Sequence, residues 1–179
     1  LVLDVSGGKM TDGANVQVYT ANGTAAQMWV LEKAQGPREA LDALAAKNKE
    51  VLADGTYVIK SALANTQVLD VKSGSKADKA NVQLYKSNMT GAQSWRVQHD
   101  GKGYVTFVNT QSGKALDVNA AKRTNGTNVQ QYGPNDSYAQ KWVVVDSSDG
   151  EYEIVSAVWP EMRLDVKSAK TANGTNVQI

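Results

Sequence analysis

Residues 116–142 read LDVNAAKRTNGTNVQQYGPNDSYAQKW, and three features of this segment recur along the chain. Asp117 stands in a Leu-Asp-Val tripeptide, Gln130 follows it by thirteen positions, and Trp142 follows it by twenty-five in a Gln-x-Trp motif. The same tripeptide, and the same offsets where the sequence extends far enough, recur at Asp4, Gln17 and Trp29, at Asp70, Gln83 and Trp95, and at Asp165 and Gln178. Because the tripeptide and both offsets agree between the copies, the chain contains an internal structural repeat.

The repeat has a period of about 47 residues. Asp70 and Asp117 are 47 positions apart, and Asp117 and Asp165 are 48 apart. Asp4 and Asp70 are 66 apart, and the 19 additional residues fall after Trp29. The first copy begins after its opening segment and the fourth ends before its Trp, so we expect the chain to be an excerpt from a longer array.

Each copy is predicted to contain four short strands, because four segments are rich in β-branched or aromatic residues and bounded by turn residues. The first strand opens at Tyr57, Tyr104 or Tyr152, the second centres on Leu-Asp-Val, the third on Asn-Val-Gln, and the fourth follows Gln-x-Trp. Asp-Gly or Asn-Gly separates strands two and three in three copies, which is typical of turns with positive φ. The second copy has Asp78-Lys79 there, and we expect a strained or different turn.

The repeat predicts an all-β fold. Four strands with one apolar stripe bury no core alone, whereas three such copies around a pseudo-threefold axis can form a β-trefoil. A β-propeller blade has a similar period. It requires more copies than this chain contains and typically carries a Gly-His and Trp-Asp signature that is absent, so the β-trefoil is preferred.

The additional residues after Trp29 differ from the repeat. Pro37 suits a first helical position, and Leu41, Leu44, Ala45, Val51 and Leu52 recur at roughly helical spacing. We interpret residues 36–53 as an amphipathic helix within a linker over 32–54, with a flexible linker as the alternative. Residues 1–31 are then the end of a preceding trefoil and 55–179 form a trefoil with a truncated third repeat. In a competing interpretation, residues 1–31 supply the fourth strand missing from the last copy.

Composition excludes several classes of function. The chain has 19 basic and 18 acidic residues, so charge gives no reason to expect nucleic acid as a partner. No apolar run approaches the roughly 20 residues of a membrane span, and we expect no membrane insertion. The absence of cysteine excludes disulfides and cysteine-ligated metals.

The sequence also argues against catalysis. His99 is the single histidine, and it lies in a variable segment between copies. Aspartates at one repeated position should lie far apart around a threefold axis, which does not suit paired carboxylates for glycoside hydrolysis. No phosphate-binding glycine loop or metal-ligand cluster is present. We therefore expect no enzymatic activity, no cofactor and no metal.

The repeated motifs resemble those of the ricin-B-type lectin family, in particular the Gln-x-Trp β-trefoils of bacterial secreted and cell-surface proteins. The resemblance rests on Leu-Asp-Val, on Asn-Gly-Thr-Asn-Val-Gln at 125–130 and on Ala-Gln-Lys-Trp at 139–142. It covers about 155 residues, all but the linker. It implies a lectin-like module that tethers a larger protein to glycans outside the cell or at its surface, with catalytic or adhesive domains attached elsewhere.

The resemblance also implies a sugar site in each copy, in which the Asp accepts sugar hydroxyls, a third-strand Gln supports it and an aromatic two residues later stacks on the sugar. The implied residues are Asp4, Gln17 and Tyr19; Asp70, Gln83 and Tyr85; Asp117, Gln130 and Tyr132; and Asp165 and Gln178. We expect the Asp side chains to lie in exposed pockets and the three motif Trp residues to lie in the core.

One departure from the family pattern favours a second function. Sugar-binding copies usually carry a polar amide just before the Gln of Gln-x-Trp, and this chain has Ala26, Ala92 and Ala139 there. A hydroxyl of a bound sugar would then lack a partner, so we expect low affinity at each site. The alternative is a sugar-free trefoil that acts as a spacer or a protein-binding scaffold, in which the Asp only ties its hairpin together.

Overall fold

A computed structural model describes all 179 residues and divides them into two compact units, Leu1–Ala34 and Gln35–Ile179. The smaller unit contains two antiparallel strands, β1 (Val2–Val5) and β2 (Val16–Tyr19), in a register that places Asp4 opposite Gln17. These are the second and third strands predicted for the first copy.

The larger unit contains one α-helix and twelve strands. The helix is α1 (Pro37–Lys47), and the strands of the second copy are β3 (Gly55–Tyr57), β4 (Lys60–Ser61), β5 (Ala64–Val71), β6 (Val82–Lys86) and β7 (Trp95–His99). The third copy forms β8 (Val105–Asn109), β9 (Ala115–Val118), β10 (Val129–Tyr132) and β11 (Trp142–Ser148). The fourth forms β12 (Glu151–Ser156), β13 (Asp165–Val166) and β14 (Thr175–Gln178).

Two strand layers give the larger unit its pseudo-threefold arrangement. The first and fourth strands of the copies form a continuous antiparallel series in the order β3-β7-β8-β11-β12. The second and third strands form the hairpins β5–β6, β9–β10 and β13–β14. The third-strand segments meet cyclically, because β14 pairs with β6, Asn81 bridges to Gln130 and Asn128 bridges to Gln178. The chain therefore has the all-β, β-trefoil architecture predicted from the repeat.

The turns between second and third strands have the predicted backbone geometry. Gly13, Gly126 and Gly174 all have φ near +80°, where glycine lacks the steric cost of a side chain. Lys79 occupies the equivalent position in the second copy with φ +64°. The strain expected from Asp78-Lys79 is therefore present: a residue with a Cβ holds the left-handed conformation that glycine holds in the other copies.

The core is built around the repeated tryptophans. Trp95 and Trp142 are fully buried, and each indole Nε1 donates to the backbone oxygen of the Leu in Leu-Asp-Val, at 3.1 Å for Leu69 and 3.2 Å for Leu116. This bond satisfies the one polar atom of each ring inside an apolar cluster, and it joins the fourth strand to the second in each copy.

Trp29 corrects the expectation that every motif Trp lies in the core, because 49% of its surface is exposed. Its indole Nε1 still reaches the Leu3 backbone oxygen, at 3.3 Å. No fourth strand follows it, and the 34 residues of the smaller unit contain a single strand pair. The Gln-x-Trp motif therefore fixes the position of the Trp ring relative to its own hairpin. Burial of the ring also requires the other copies of a trefoil to pack around it.

Helix α1 is shorter than predicted and packs closely on the strands of the larger unit. It ends at Lys47 rather than 53, where the Asn48 side chain donates to the Leu44 backbone oxygen at 2.8 Å. Leu41 and Ala45 are buried in an apolar cluster with Tyr104 and residues of β11 and β12. The structure contains no helix with the length and apolar character that a membrane span requires.

Gly103 allows this close packing. It has φ +101°, and a Cβ at this position would lie 2.1 Å from the Ala45 backbone oxygen of α1. Any side chain here would force the helix and the loop before β8 apart. The domain boundaries at 31/32 and 54/55 stay predictions, since the compact units divide within the predicted linker, between residues 34 and 35.

Candidate functional site

Each Leu-Asp-Val aspartate of the three copies that contain Gln-x-Trp accepts two hydrogen bonds from glutamine side chains. Asp70 Oδ1 accepts from Gln83 Nε2 at 2.9 Å, and Asp70 Oδ2 accepts from Gln93 Nε2 at 3.1 Å. The register of β5 and β6 places Asp70 opposite Gln83, so the first bond follows from strand pairing. The second bond brings the Gln-x-Trp turn onto the same carboxylate.

The same arrangement is repeated in two other copies. Asp117 accepts from Gln130 at 2.9 Å and from Gln140 at 3.0 Å. Asp4 accepts from Gln17 and Gln27, both at 3.0 Å. In the fourth copy, Asp165 accepts only from Gln178, at 3.0 Å, and is exposed.

The second glutamine of each set was not assigned a role from the sequence. Gln93 and Gln140 also donate to the backbone oxygens of Lys86 and Gly133 and accept from the backbone N–H groups of Asn88 and Asn135. They are almost completely buried, so they organise the turn before the fourth strand. Their constant distance of 23 residues from the aspartate was the sequence signal that could have identified them.

Asp4, Asp70 and Asp117 are buried, which corrects the expectation of exposed carboxylates. Each retains 5% of its surface, because two glutamine amides and the neighbouring strands enclose it. Burial raises the pKa of the Asp117 carboxyl, against the lowering effect of the hydrogen bonds from Gln130 and Gln140, and the nearby Asp78 charge raises it further. The carboxylates thus tie the fold together, and what they offer to a ligand is their remaining lone pairs.

Two surface cavities nevertheless reach these carboxylates. Asp70, Gln83 and Tyr85 line a cavity of about 590 Å³, and Asp117, Gln130 and Tyr132 line one of about 330 Å³. In both copies the structure therefore brings together the three residues predicted to form a site. Asp4 and Gln17 are joined in the smaller unit, with Tyr19 exposed on the same hairpin.

The cavities contain a further polar side chain that the sequence analysis missed. Asn88 lines the Asp70 cavity and Asn135 lines the Asp117 cavity. The Oδ1 atom of each accepts a backbone N–H two residues later, from Thr90 at 3.1 Å and from Ser137 at 3.0 Å. This bond orients the side chain and leaves its Nδ2 donor available. An Asn five residues before the Gln of every Gln-x-Trp was the signal in the sequence.

Chemically, each cavity can accept hydroxyl hydrogen bonds at a carboxylate, donate from an amide and pack a ring against tyrosine. Asp70 and Asp117 line different cavities, so they do not form a pair of carboxylates. His99 lies beside Asp54 and lines neither cavity. No group of three His, Cys, Asp or Glu side chains is placed to hold a metal ion.

Comparisons with known proteins agree with this geometry. The chain matches the model of one protein family, the ricin-type β-trefoil lectin domain-like family, over residues 1–85, 43–132 and 91–179. The chain is 38% identical to the designed 3-fold symmetric protein ThreeFoil, over 70% of this chain and 88% of that one, with a TM-score of 0.67. A comparison with curated proteins found no match.

Two natural proteins of known structure are also similar. The Rhizoctonia solani agglutinin is 32% identical, with 71% of this chain and 85% of that one covered and a TM-score of 0.63. An exo-β-1,3-galactanase from Clostridium thermocellum is 32% identical over 69% of this chain, with a TM-score of 0.66. The chain spans 26% of the length of that enzyme.

Proposed function

The chain belongs to the ricin-type β-trefoil lectin domain-like family, and from that premise we propose that it binds carbohydrate through the Asp70 and Asp117 cavities. The observation that carries the proposal is the repeated combination of a carboxylate, a free amide and a tyrosine in each cavity. Hydroxyl groups of a pyranose donate to the carboxylate and accept from the amide, while the apolar face of the ring packs on tyrosine.

The two glutamine bonds leave acceptor capacity at the carboxylate. A carboxylate has about four lone-pair sites, and the glutamines of the Asp70 site use two of them. Asn88 and Asn135 offer donors in a cavity where alanine replaces the usual amide before Gln-x-Trp. They offset part of that loss, but each site remains shallow, and we expect a dissociation constant near 1 mM, about −4 kcal/mol.

Weak sites suit attachment to a polymer. Two or more sites that engage one glycan surface raise the effective affinity by roughly 10²–10⁴. We therefore propose that the module tethers a larger secreted or cell-surface protein to polysaccharide or glycoprotein. The similar galactanase and agglutinin agree with this role, since one acts on a polysaccharide and the other is named for agglutination.

The test uses side chains that lie on the solvent side of the hydrogen-bond network. Tyr85→Ala and Tyr132→Ala together should abolish retention on immobilised polysaccharides, and each single variant should reduce it partly. Tyr152→Ala is the matched control, because this tyrosine is half exposed and lines neither cavity. Unchanged retention in the folded double variant would contradict sugar binding at these sites.

A second function is favoured by the buried carboxylates. Because two glutamines hold each of Asp70 and Asp117, the motif has a structural role in the absence of any ligand. A sugar-free trefoil that acts as a spacer or scaffold would retain the same bonds. A glycan array that contains neutral and acidic polysaccharides separates the two functions: a scaffold binds none, at protein concentrations up to about 1 mM.

A further inference from the structure

Charge is nearly balanced over the whole chain, but three of its loops are strongly basic. They join the second and third strands of the second, third and fourth copies, over residues 72–79, 119–126 and 167–174. The loops contain one acidic residue, Asp78, and seven basic residues: Lys72, Lys76, Lys79, Lys122, Arg123, Lys167 and Lys170. The chain has 19 basic and 18 acidic residues in all, so its positive charge is concentrated in these loops.

The three loops lie in one layer of the trefoil. The backbone N–H at the end of each loop donates to the third-strand segment of a neighbouring copy: Lys79 to Gln131 at 2.8 Å, Gly126 to Ile179 at 2.7 Å and Gly174 to Leu84 at 2.8 Å. These bonds form a cycle through the three copies. The basic residues of the loops therefore surround the same pseudo-threefold axis.

The charge of these loops is unpaired. All seven basic side chains are exposed, and none has a carboxylate within 4.0 Å. Asp78 is compensated from outside the loops, because the Lys114 Nζ lies 2.6 Å from its Oδ1 and the Gly133 N–H donates to it at 2.9 Å. An anionic ligand can therefore pair with the loop cations without displacing an existing partner.

Loop 72–79 borders both candidate cavities. Lys72 lines the Asp70 cavity, and Lys79 lines the Asp117 cavity. Lys76 lies between them on the same loop and is exposed. The loop therefore carries three lysines between the wall of one cavity and the wall of the other.

A buried glutamine holds this loop in place. Gln131 is completely buried, and its Nε2 donates to the backbone oxygens of Ser75 at 2.8 Å and Ala77 at 2.9 Å. Leu84 and Ile179 occupy the equivalent position in the other two copies, where the aliphatic side chain makes no hydrogen bond. A ligand that lies along loop 72–79 therefore meets lysines whose backbone is already ordered, which lowers the entropic cost of binding.

The carboxylates of the cavities decide how an acidic sugar lies in them. Asp70 and Asp117 line their cavities and repel another carboxylate or a sulfate. The uncharged hydroxyls of the sugar therefore face Asp70 or Asp117, and its anionic group faces the lysines of loop 72–79.

We propose that the ligand is an acidic polysaccharide that lies along loop 72–79 and places sugars in both cavities. This inference rests on the proposed function and specifies its ligand class. Carboxylate or sulfate groups of the polymer pair with Lys72, Lys76 and Lys79, and its hydroxyls donate to Asp70 and Asp117. Because weak contacts on one polymer reinforce each other, the loop adds affinity that neither cavity supplies alone.

Two matched pairs of polymers test the charge of the ligand. Polygalacturonate and its fully methyl-esterified form share a backbone and differ in carboxylate charge, and dextran sulfate and dextran differ in sulfate. The affinity of the full chain for each polymer is measured by isothermal titration calorimetry. An exposed ion pair changes an equilibrium constant about twofold, so three lysines should favour at least one acidic polymer over its neutral partner about eightfold. The preference should disappear in about 1 M salt, where the Debye length is about 3 Å.

Two triple variants test whether loop 72–79 is responsible. The first combines Lys72→Gln, Lys76→Gln and Lys79→Gln, and it should retain the fold and bind the acidic polymer no tighter than its neutral partner. The control removes the same charge from exposed lysines that lie outside the three loops and line neither cavity: Lys47→Gln, Lys49→Gln and Lys102→Gln. The control variant should keep the preference for the acidic polymer.

The outcomes separate this inference from the proposed function. Equal affinity for the acidic and neutral members of both pairs, or an equal loss in the two triple variants, overturns the role of loop 72–79 and leaves sugar binding intact. Single-stranded DNA that displaces the acidic polymer as effectively as the polymer itself would show a general polyanion surface, which also overturns it. If no polymer is bound, or if Tyr85→Ala with Tyr132→Ala leaves binding unchanged, both the inference and the proposed function fail.

Discussion

Replacing Asp117 by alanine tests how far the carboxylate of a proposed sugar-binding site also supports the fold. The side chain is 5% exposed and accepts from Gln130 at 2.9 Å and Gln140 at 3.0 Å. In Asp117→Ala, Gln130 Nε2 loses its one protein acceptor, whereas Gln140 Nε2 keeps the Gly133 backbone oxygen. The variant therefore leaves one buried amide unsatisfied and another half satisfied.

The expected loss is about 2–4 kcal/mol of unfolding free energy. Hydrogen bonds to a charged group contribute roughly 1.5–3 kcal/mol each, so the two bonds amount to about 3–6 kcal/mol. Removing a carboxylate that burial disfavours offsets part of this sum. Domains of this size have about 5–15 kcal/mol of stability, so the variant should fold but unfold at a clearly lower denaturant concentration.

The matched control is Asp165→Ala in the fourth copy. Asp165 occupies the same motif position but is exposed and accepts a single bond, from Gln178. Surface changes of this kind usually alter stability by about 0.5 kcal/mol or less. Urea denaturation followed by tryptophan fluorescence measures both variants. If Asp117→Ala and Asp165→Ala cost the same within about 0.5 kcal/mol, the buried hydrogen-bond network contributes nothing and the reasoning is wrong.

Three further predictions follow from the packing and from the pKa of the site. Trp95→Ala should lower the free energy of unfolding by roughly 3–5 kcal/mol in denaturant titrations, whereas Trp29→Ala should lower it by less than about 1 kcal/mol because the Trp29 ring is half exposed. Equal losses in the two variants would contradict the difference in burial. Gly103→Ala should loosen helix α1 and speed its proteolysis. Gly101→Ala is the control, because Gly101 has φ +77° and open space around its Cβ position, so this change should add only backbone strain. Unchanged proteolysis of α1 in Gly103→Ala would contradict the close contact. Burial raises the pKa of Asp117 above the unfolded value of about 3.9, so the stability that this carboxyl contributes is greatest below that value and declines as pH rises through the folded pKa. Asp117→Ala should therefore cost more unfolding free energy near pH 4 than near pH 7. The opposite trend in urea titrations would show that folding lowers the pKa of Asp117.

The repeat offsets predicted the fold because short hairpins fix the distance between paired residues. Asp70 and Gln83 are thirteen positions apart, and the β5–β6 register places them opposite each other. The turn residues were equally informative, since glycine at positions 126 and 174 marks positive φ directly. Local rules of this kind are written in the sequence of one copy, so they transfer to the others.

Burial was harder to predict, because it depends on segments far apart in the chain. Asp117 was expected to be exposed, yet Gln130 of β10 and Gln140 of the turn before β11 enclose it. Trp29 carries the same motif as Trp95, and only the second ring is surrounded by other copies. The position of Lys79 at the Asp117 cavity required the structure as well, since its turn belongs to a different copy from Asp117.

The two glutamine bonds to Asp70 and to Asp117 make the stability of these copies independent of the residues proposed to recognise a ligand. Mutations that remove Tyr85 or Asn88 would end the proposed recognition in that copy and leave the Asp70 network in place, so selection for a stable chain would keep Leu-Asp-Val and Gln-x-Trp unchanged. Binding can therefore be gained or lost independently in each copy over evolution, without passing through an unfolded intermediate. Among related proteins, we expect the residues at the positions of Tyr85 and Asn88, rather than the shared motif, to distinguish copies that bind from copies that do not.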